Sequence, residues 1–217
     1  MERKVAFPQR FSVSEFAAQF FISKGTTTAF AVAGGASLHL MHAYENAQGG
    51  ELVVVHHEQS VAMAVDAYSR ASGQIGLGFA TSGPGATNLV TGIAGAFYDS
   101  VGCIFLTGQV STFRGAGATG VRQYGFQETP ILEIVRPVAK GVFSIQRTND
   151  AAGMLESAYD LASTGRPGPV VIEMPDNLQR EHLEIPVKVS GVSRAQSVPS
   201  PTSASIENVV QLLDKAS

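Results

Sequence analysis

One carboxylate in this chain sits where catalysis would need it. In Val53-Val54-Val55-His56-His57-Glu58-Gln59-Ser60 a short β-branched run stops at Glu58, and a helix-compatible segment begins. Leu52 to Val55 is continuously apolar and short, which predicts a buried strand. Beyond Glu58, Val61, Ala64, Val65 and Tyr68 recur at helical spacing, with Ser69, Arg70 and Ser72 near an exit at Gly73. Glu58 is thereby placed at a strand-to-helix corner. In a parallel α/β sheet such corners line the carboxyl edge where ligands bind, and a carboxylate there feels the positive end of the helix dipole. Two roles stay open on this stretch alone: chemistry on a bound ligand, or stabilisation of the helix from its first turn.

Other chemistry-bearing residues are less well placed. A hydrolase elbow around Ser82 would need glycines at 80 and 84, where Ala80 and Pro84 stand. Gly34-Gly35-Ala36-Ser37 lets a backbone or ligand come close. It lacks the Gly-Lys-Ser/Thr ending of a phosphate loop and the third glycine of a dinucleotide fingerprint. His39 and His42 lie three apart inside an apolar helical stretch, and neither they nor His56 and His57 complete a zincin pattern, so no zinc site is expected. Cys103 is the single cysteine, which excludes an intrachain disulfide and a cysteine metal cluster. Among Val101 to Leu106 it reads as a small apolar filler in a strand.

The elements that must position these residues alternate. Ser12 and Glu15 are spaced as a capping box ahead of Phe16, Phe20 and Phe21, and Gly25 closes that helix. Strands are predicted at Thr28–Val32, Leu52–Val55, Ile75–Ala80, Val101–Thr107, Ala139–Phe143 and Pro169–Met174. Helices are predicted at Leu38–Ala47, from Glu58 to Ser72, at Thr87–Tyr98, Ile131–Val135 and Asn149–Ser163. Pro84 suits a first helical position, between glycines that leave room for a ligand or partner. Gly92, Ala94, Gly95 and Ala96 give the Thr87–Tyr98 helix a small-residue face, for which a subunit interface is one explanation. Val110 to Gly125 is a loop too long to be a mere connector. The expected fold is α/β, a six-stranded parallel sheet with helices on both faces.

From Pro186 the composition turns to Ser, Pro, Val and Gly without periodicity, which reads as a linker over 186–204. Ser205 then caps an amphipathic helix carrying Ile206, Val209, Val210 and Leu213 on one face. The expected division is a main domain over 1–185, the linker, and over 205–217 the first helix of a middle domain that the chain does not complete.

The 217 residues are 44% hydrophobic and 15% charged, enough apolar content for a sizeable core. A net charge of −3 gives no reason to expect nucleic acid or an acidic membrane as partner. No apolar run reaches the roughly 18 residues of a membrane span, and Met1 to Arg10 contains no apolar core of a signal peptide. A soluble, cytoplasmic protein is the resulting expectation.

Six segments together resemble the amino-terminal pyrimidine-binding domain of thiamine diphosphate-dependent enzymes, in the acetolactate synthase and pyruvate oxidase branch. They are Gly34-Gly35-Ala36, His57-Glu58, Thr81 to Asn88, Thr107-Gly108-Gln109-Val110, Phe126-Gln127-Glu128-Thr129-Pro130 and Gly165-Arg166-Pro167-Gly168-Pro169. They occur in order and at the family's spacing over roughly residues 11 to 180. The resemblance implies a thiamine diphosphate-binding fold in which Glu58 holds N1′ of the cofactor's aminopyrimidine and favours its imino tautomer. The 4′ nitrogen then removes the C2 proton, and the carbanion attacks a 2-oxo acid, which loses carbon dioxide. It further implies that Gly34, Gly35 and Ala36 line the cofactor pocket and that Pro84 and Asn88 contact the pyrimidine side. Phe126 and Gln127 would face the substrate from the neighbouring subunit; a loop-anchoring amide is the other role open to Gln127. Acetolactate synthases usually carry Tyr-Pro before the paired glycines, whereas Val32-Ala33 stands here, a departure that bears on the substrate.

In that family the diphosphate is held through Mg²⁺ by a Gly-Asp-Gly motif in a carboxyl-terminal domain, and this chain has no Gly-Asp-Gly. The resemblance therefore implies half a site, inactive by itself, in a homo-oligomer (dimer or tetramer) that also needs a diphosphate-binding domain and a 2-oxo acid. Whether a middle domain adds FAD is left open. The competing expectation is a non-catalytic, self-associating α/β module in which Glu58 serves only its helix.

Overall fold

The computed structural model describes residues 11–183 and 201–216. Six strands, β1 (Thr28–Ala31), β2 (Glu51–Val54), β3 (Gly76–Ala80), β4 (Cys103–Gln109), β5 (Gly141–Ser144) and β6 (Pro169–Pro175), form one sheet in the order β2-β1-β3-β4-β6-β5. Every pairing is parallel, from Phe30 beside Val53 at one edge to Val142 beside Val171 at the other. Before, between and after the strands run α1 (Val13–Ser23), α2 (Leu38–Glu45), α3 (Glu58–Ser72), α4 (Pro84–Asn88), α5 (Val90–Tyr98), α6 (Ile131–Val135), α7 (Ala151–Ser163), α8 (Asp176–Arg180) and α9 (Ser203–Asp214).

The sheet separates two cores. On one face Phe16, Phe20, Phe21, Leu40, Tyr44, Leu155 and Leu178 join α1, α2, α7 and α8 to Leu77, Phe79, Ile104 and Ile172. On the other, Val61, Val65, Leu89, Ile93 and Ile131 bring α3, α5 and α6 against Phe105, Cys103 and Val171. Strand residues alternate between these sets, as a doubly covered sheet requires. Cys103 is fully buried, and desolvation pushes its thiol well above the usual range. Gly92 of α5 lies so close to α3 that an added Cβ would stand 2.3 Å from that of Ala62. Part of the small-residue face is therefore consumed inside the chain rather than at a subunit interface, whereas Gly95 faces open space.

Several boundaries differ from the sequence reading. β2 is an edge strand with Val54 54% exposed in this chain, because only β1 pairs with it; its apolar run had indicated burial. The expected Thr87–Tyr98 helix begins earlier, at Pro84, and breaks at Leu89. There Leu89 N–H bonds the Ala86 carbonyl three residues back, at 3.2 Å, and tightens the turn. The fifth strand starts at Gly141 rather than Ala139, and α8 had no periodic pattern to announce it. The last helix is capped by Thr202, whose Oγ1 accepts from Ser205 N–H at 3.2 Å, so it opens two residues before the expected cap at Ser205. At α1 the capping box is formed as expected: Ser12 N–H donates to Glu15 Oε2 at 2.7 Å, and Glu15 N–H donates to Ser12 Oγ at 3.2 Å. Most of the expected linker lies outside the described residues. Among the described residues no helix is long and apolar enough to cross a membrane.

Candidate functional site

The chain leaves β1 towards α2 on one face of the sheet and leaves the adjacent β3 towards α4 on the other. This divergence opens a crevice at the carboxyl ends of β1 and β3, the kind of switch point where α/β sheets bind ligands. Glu58 enters it as the first residue of α3. The helix is capped by His57, whose Nδ1 accepts from Gln59 N–H at 3.1 Å. Glu58 is 9% exposed, and its side chain reaches across to α4, where Asn88 Nδ2 donates to Oε2 at 2.9 Å. The other oxygen, Oε1, makes no hydrogen bond among the described residues. Gly85 closes over it so tightly that a Cβ there would stand 3.3 Å from Oε1. A carboxylate serving only its own helix would turn to that helix's free N–H groups; this one is turned away and held by one oxygen.

The paired-glycine turn forms the opposite wall. A Cβ on Gly34 would fall 2.4 Å from the Cβ of Thr81, and Ala36 N–H donates to Thr81 Oγ1 at 3.1 Å. The turns after β1 and β3 are thus locked together. Gly35 has open space around it, so Gly34 is the glycine that the fold requires and Gly35 the one that leaves room. Pro84 is exposed at the first position of α4.

Gln127 and Phe126 come from the long loop. Gln127 takes a left-handed φ of 59°, and its carbonyl lies where a Cβ on Gly83 (φ 64°) would approach it to 2.7 Å. The backbone of Gln127 is therefore seated on the Ser82-Gly83-Pro84 turn of its own chain. The ring of Phe126 is 85% exposed.

With Phe113, Val121, Tyr124 and Phe126 all turned outwards, polar contacts hold this loop. Glu128 accepts from the N–H groups of Ala116 (2.6 Å), Tyr124 (2.9 Å) and Gly125 (3.2 Å). Desolvation pushes its carboxyl up, but the three N–H donors outweigh this and hold it below the ordinary glutamate value. A depressed native value means that the clamp is fully present above the ordinary glutamate range and is lost as pH falls through the lower native value. Glu128→Ala is expected to raise amide exchange at Ala116, Tyr124 and Gly125 about tenfold, the equivalent of one charge-assisted hydrogen bond. Exchange measured by NMR at neutral pH checks this, and unchanged rates would show that the loop is held elsewhere.

A second divergence lies between β4 and β6. Glu173, the one carboxylate within β6, accepts from Gln109 Nε2 at 2.8 Å and from Ser144 Oγ at 3.2 Å, while Gln109 also donates to the Thr129 carbonyl at 2.9 Å. Burial raises the Glu173 carboxyl, the two hydrogen bonds oppose this, and the charges of Glu133 and Glu128 add to the rise. Sequence reasoning passed over Glu173, although a lone acid inside Val170-Val171-Ile172-Glu173-Met174 is a visible signal. Gln179 was also missed, and nothing in its local sequence marks it; Thr81 and Gln109 lie in segments that carry the resemblance but were given no role there. Among the described residues no three His, Cys, Asp or Glu converge as a metal site.

Residues 11–134 match the family described as thiamine pyrophosphate enzyme, N-terminal TPP binding domain. The chain belongs to that family. Among similar proteins, the chloroplastic acetolactate synthase of Arabidopsis thaliana is 37% identical over 198 residues, which cover 89% of this chain and 28% of that protein. An acetolactate synthase large subunit of Buchnera aphidicola is 40% identical over 171 residues (78% and 29%). The acetolactate synthase isozyme 3 large subunit of Escherichia coli is 37% identical over 175 residues (81% and 29%). The chain thus spans less than a third of the length of these relatives. In this TPP binding domain the crevice holds a buried carboxylate with one oxygen bonded to Asn88 and the other, beside Gly85, without a hydrogen bond among the described residues, an acceptor that a ring N–H could use.

Proposed function

We propose that this domain is the pyrimidine-binding half of a thiamine diphosphate-dependent 2-oxo acid decarboxylase or carboligase of the acetolactate synthase kind, with Glu58 as the residue that activates the cofactor. One observation carries the reading: the Glu58 carboxylate bonds Asn88 of α4 through Oε2 and presents Oε1, unbonded, to the β1/β3 crevice. That arrangement argues against a residue that only stabilises its helix, since His57 already supplies the cap.

Asn88 fixes one oxygen and leaves the other free, and that oxygen would take the hydrogen bond of N1′ when the cofactor is bound. Near-complete burial keeps bulk water from competing for that oxygen. Gly34 lets the turn close against Thr81, Gly85 leaves room beside Oε1, Gly35 and Ala36 line the wall, and Pro84 stands at the entrance. When bound, thiamine diphosphate supplies the electron sink for losing carbon dioxide from a 2-oxo acid. Phe126 and Gln127, presented by the loop that Glu128 clamps, would face the substrate of the neighbouring subunit.

The Mg²⁺-bridged diphosphate would be held by a separate diphosphate-binding domain, in a homo-oligomer where two chains complete each site. The exposed apolar face of α9, with Ile206, Val209, Val210 and Leu213 each at least 50% exposed, is read as the opening of a further domain. FAD has no assigned residues in this chain.

Calorimetry tests the division of labour. The chain alone is expected to bind thiamine diphosphate at least about a hundredfold more weakly than the chain supplied with a diphosphate-binding domain and Mg²⁺. The paired charges of the diphosphate and metal carry more of the affinity than one ring hydrogen bond. Micromolar binding by the chain alone would contradict this.

A further inference from the structure

We propose that Gln179 is a positioning residue for the cofactor turn: from α8 it fixes the Ala36 peptide and so shapes the wall opposite Glu58. The inference rests on the reading of the crevice given above. Gln179 is fully buried, and its Nε2 donates to two carbonyls, Ala36 at 2.6 Å and Met174 at 2.9 Å. Two carbonyl acceptors at one terminal atom require that atom to be the nitrogen. The amide oxygen is then left buried with no partner among the described residues.

A buried acceptor without a donor is a standing cost to stability. An apolar side chain of the same size would fill the space without that cost, so the cost needs an explanation other than packing. Only an amide of this length offers two N–H bonds from one uncharged atom. Ionised glutamate offers none, and asparagine is a methylene short.

What those bonds hold is one residue, Ala36, through the peptide groups on either side of it. Ala36 N–H is taken by Thr81 Oγ1 at 3.1 Å, from the end of β3. Its carbonyl is taken by Gln179, which lies 143 residues further along the chain. Gly108 of β4 has no side chain at the point where one would collide with that carbonyl. In the Ala36–Ser37 peptide the carbonyl is held by Gln179 and the Ser37 N–H donates to the Gly34 carbonyl at 3.1 Å. Gripped at both ends, that peptide cannot flip its oxygen into the crevice, and Gly35 and Ala36 keep the wall a pyrimidine ring would meet.

The experiment uses Gln179→Glu, nearly isosteric, in the chain supplied with a diphosphate-binding domain and Mg²⁺. At pH 8 the ionised side chain cannot donate, and thiamine diphosphate affinity is expected to fall about tenfold. As pH is lowered towards 6, a carboxyl pressed against two carbonyls regains its proton and one donor, so part of the affinity returns relative to the parent at the same pH. The parent reference removes the contributions of His39, His42, His182, Arg180 and Glu15, which line the cleft beside Gln179. Gln179→Met, neutral and similar in length, covers the case in which the glutamate variant fails to fold; it should lose affinity without any pH recovery. Leu178→Ala, on the same helix, should lower Tm and leave affinity unchanged.

A second readout needs no cofactor: amide exchange at Ala36 in the chain alone should rise about tenfold in either Gln179 variant and not in Leu178→Ala. Parent-like affinity at pH 8 with parent-like Ala36 exchange would overturn the proposal, as would losses that merely track Tm. If the complemented parent itself binds no cofactor, the reading of the crevice fails, and Ala36 exchange still decides whether Gln179 fixes the turn.

Discussion

Glu58→Gln, in the chain completed by a diphosphate-binding domain, is expected to slow exchange of the cofactor's C2 proton by two to four orders of magnitude, roughly the range that a positioned acid or base contributes. The substitution preserves size and leaves an oxygen for Asn88 to bond. What it removes is a charged acceptor able to take up and return a proton at N1′. Burial sharpens the difference, because a charge-assisted hydrogen bond in a dry site is worth more than its neutral counterpart. Deuterium exchange at C2 followed by NMR measures the effect directly. Equal rates in parent and variant would take Glu58 out of the mechanism and restore the reading of a residue that serves only its helix.

Gly108→Ala is expected to cost about 3 kcal/mol, the upper part of the range for overpacking a tight interior. At this chain length that corresponds to a fall in Tm of roughly 6–12 °C. The added Cβ would stand 2.0 Å from the Ala36 carbonyl oxygen and 2.4 Å from its carbon. Both are backbone atoms. Ala36 cannot retreat without giving up its bonds to Thr81 and Gln179, and Gly108 cannot retreat without disturbing its place opposite Met174 on β6. Gly35→Ala on the same turn has nothing within 4 Å of the new carbon, and its stability should stay within about 0.5 kcal/mol of the parent. Thermal denaturation of the two variants separates close packing from sequence resemblance, since both positions are glycines in motifs that the sequence reading singled out. Similar Tm values for the pair would mean that the contact at Gly108 is relieved at little cost.

Much of the architecture is legible because its causes are local. Ser12 and Glu15 form their capping box within one turn, Gly73 ends α3 in a left-handed conformation, and the apolar runs after Gly73 and Gly168 have no stable place except a covered sheet. The errors share a different cause. The Leu52–Val55 run indicates a strand but not that it lies at the sheet's edge, and α8 is a single turn whose short span shows no period. Position in a sheet depends on which strands pair, and pairing here joins segments tens of residues apart.

The sequence by itself determined the alternation of elements, the strand-to-helix corner that holds Glu58, and the family, because these follow from periodicity, turn chemistry and motifs in register. Only the tertiary structure decided which side chains meet at that corner. Asn88 reaches Glu58 across 30 residues of chain, Thr81 reaches Ala36 across 45, and Gln179 reaches the same residue across 143. A hydrogen bond depends on distance and direction in space, and those are defined only after the sheet has brought the carboxyl ends of β1, β3 and β6 to one edge.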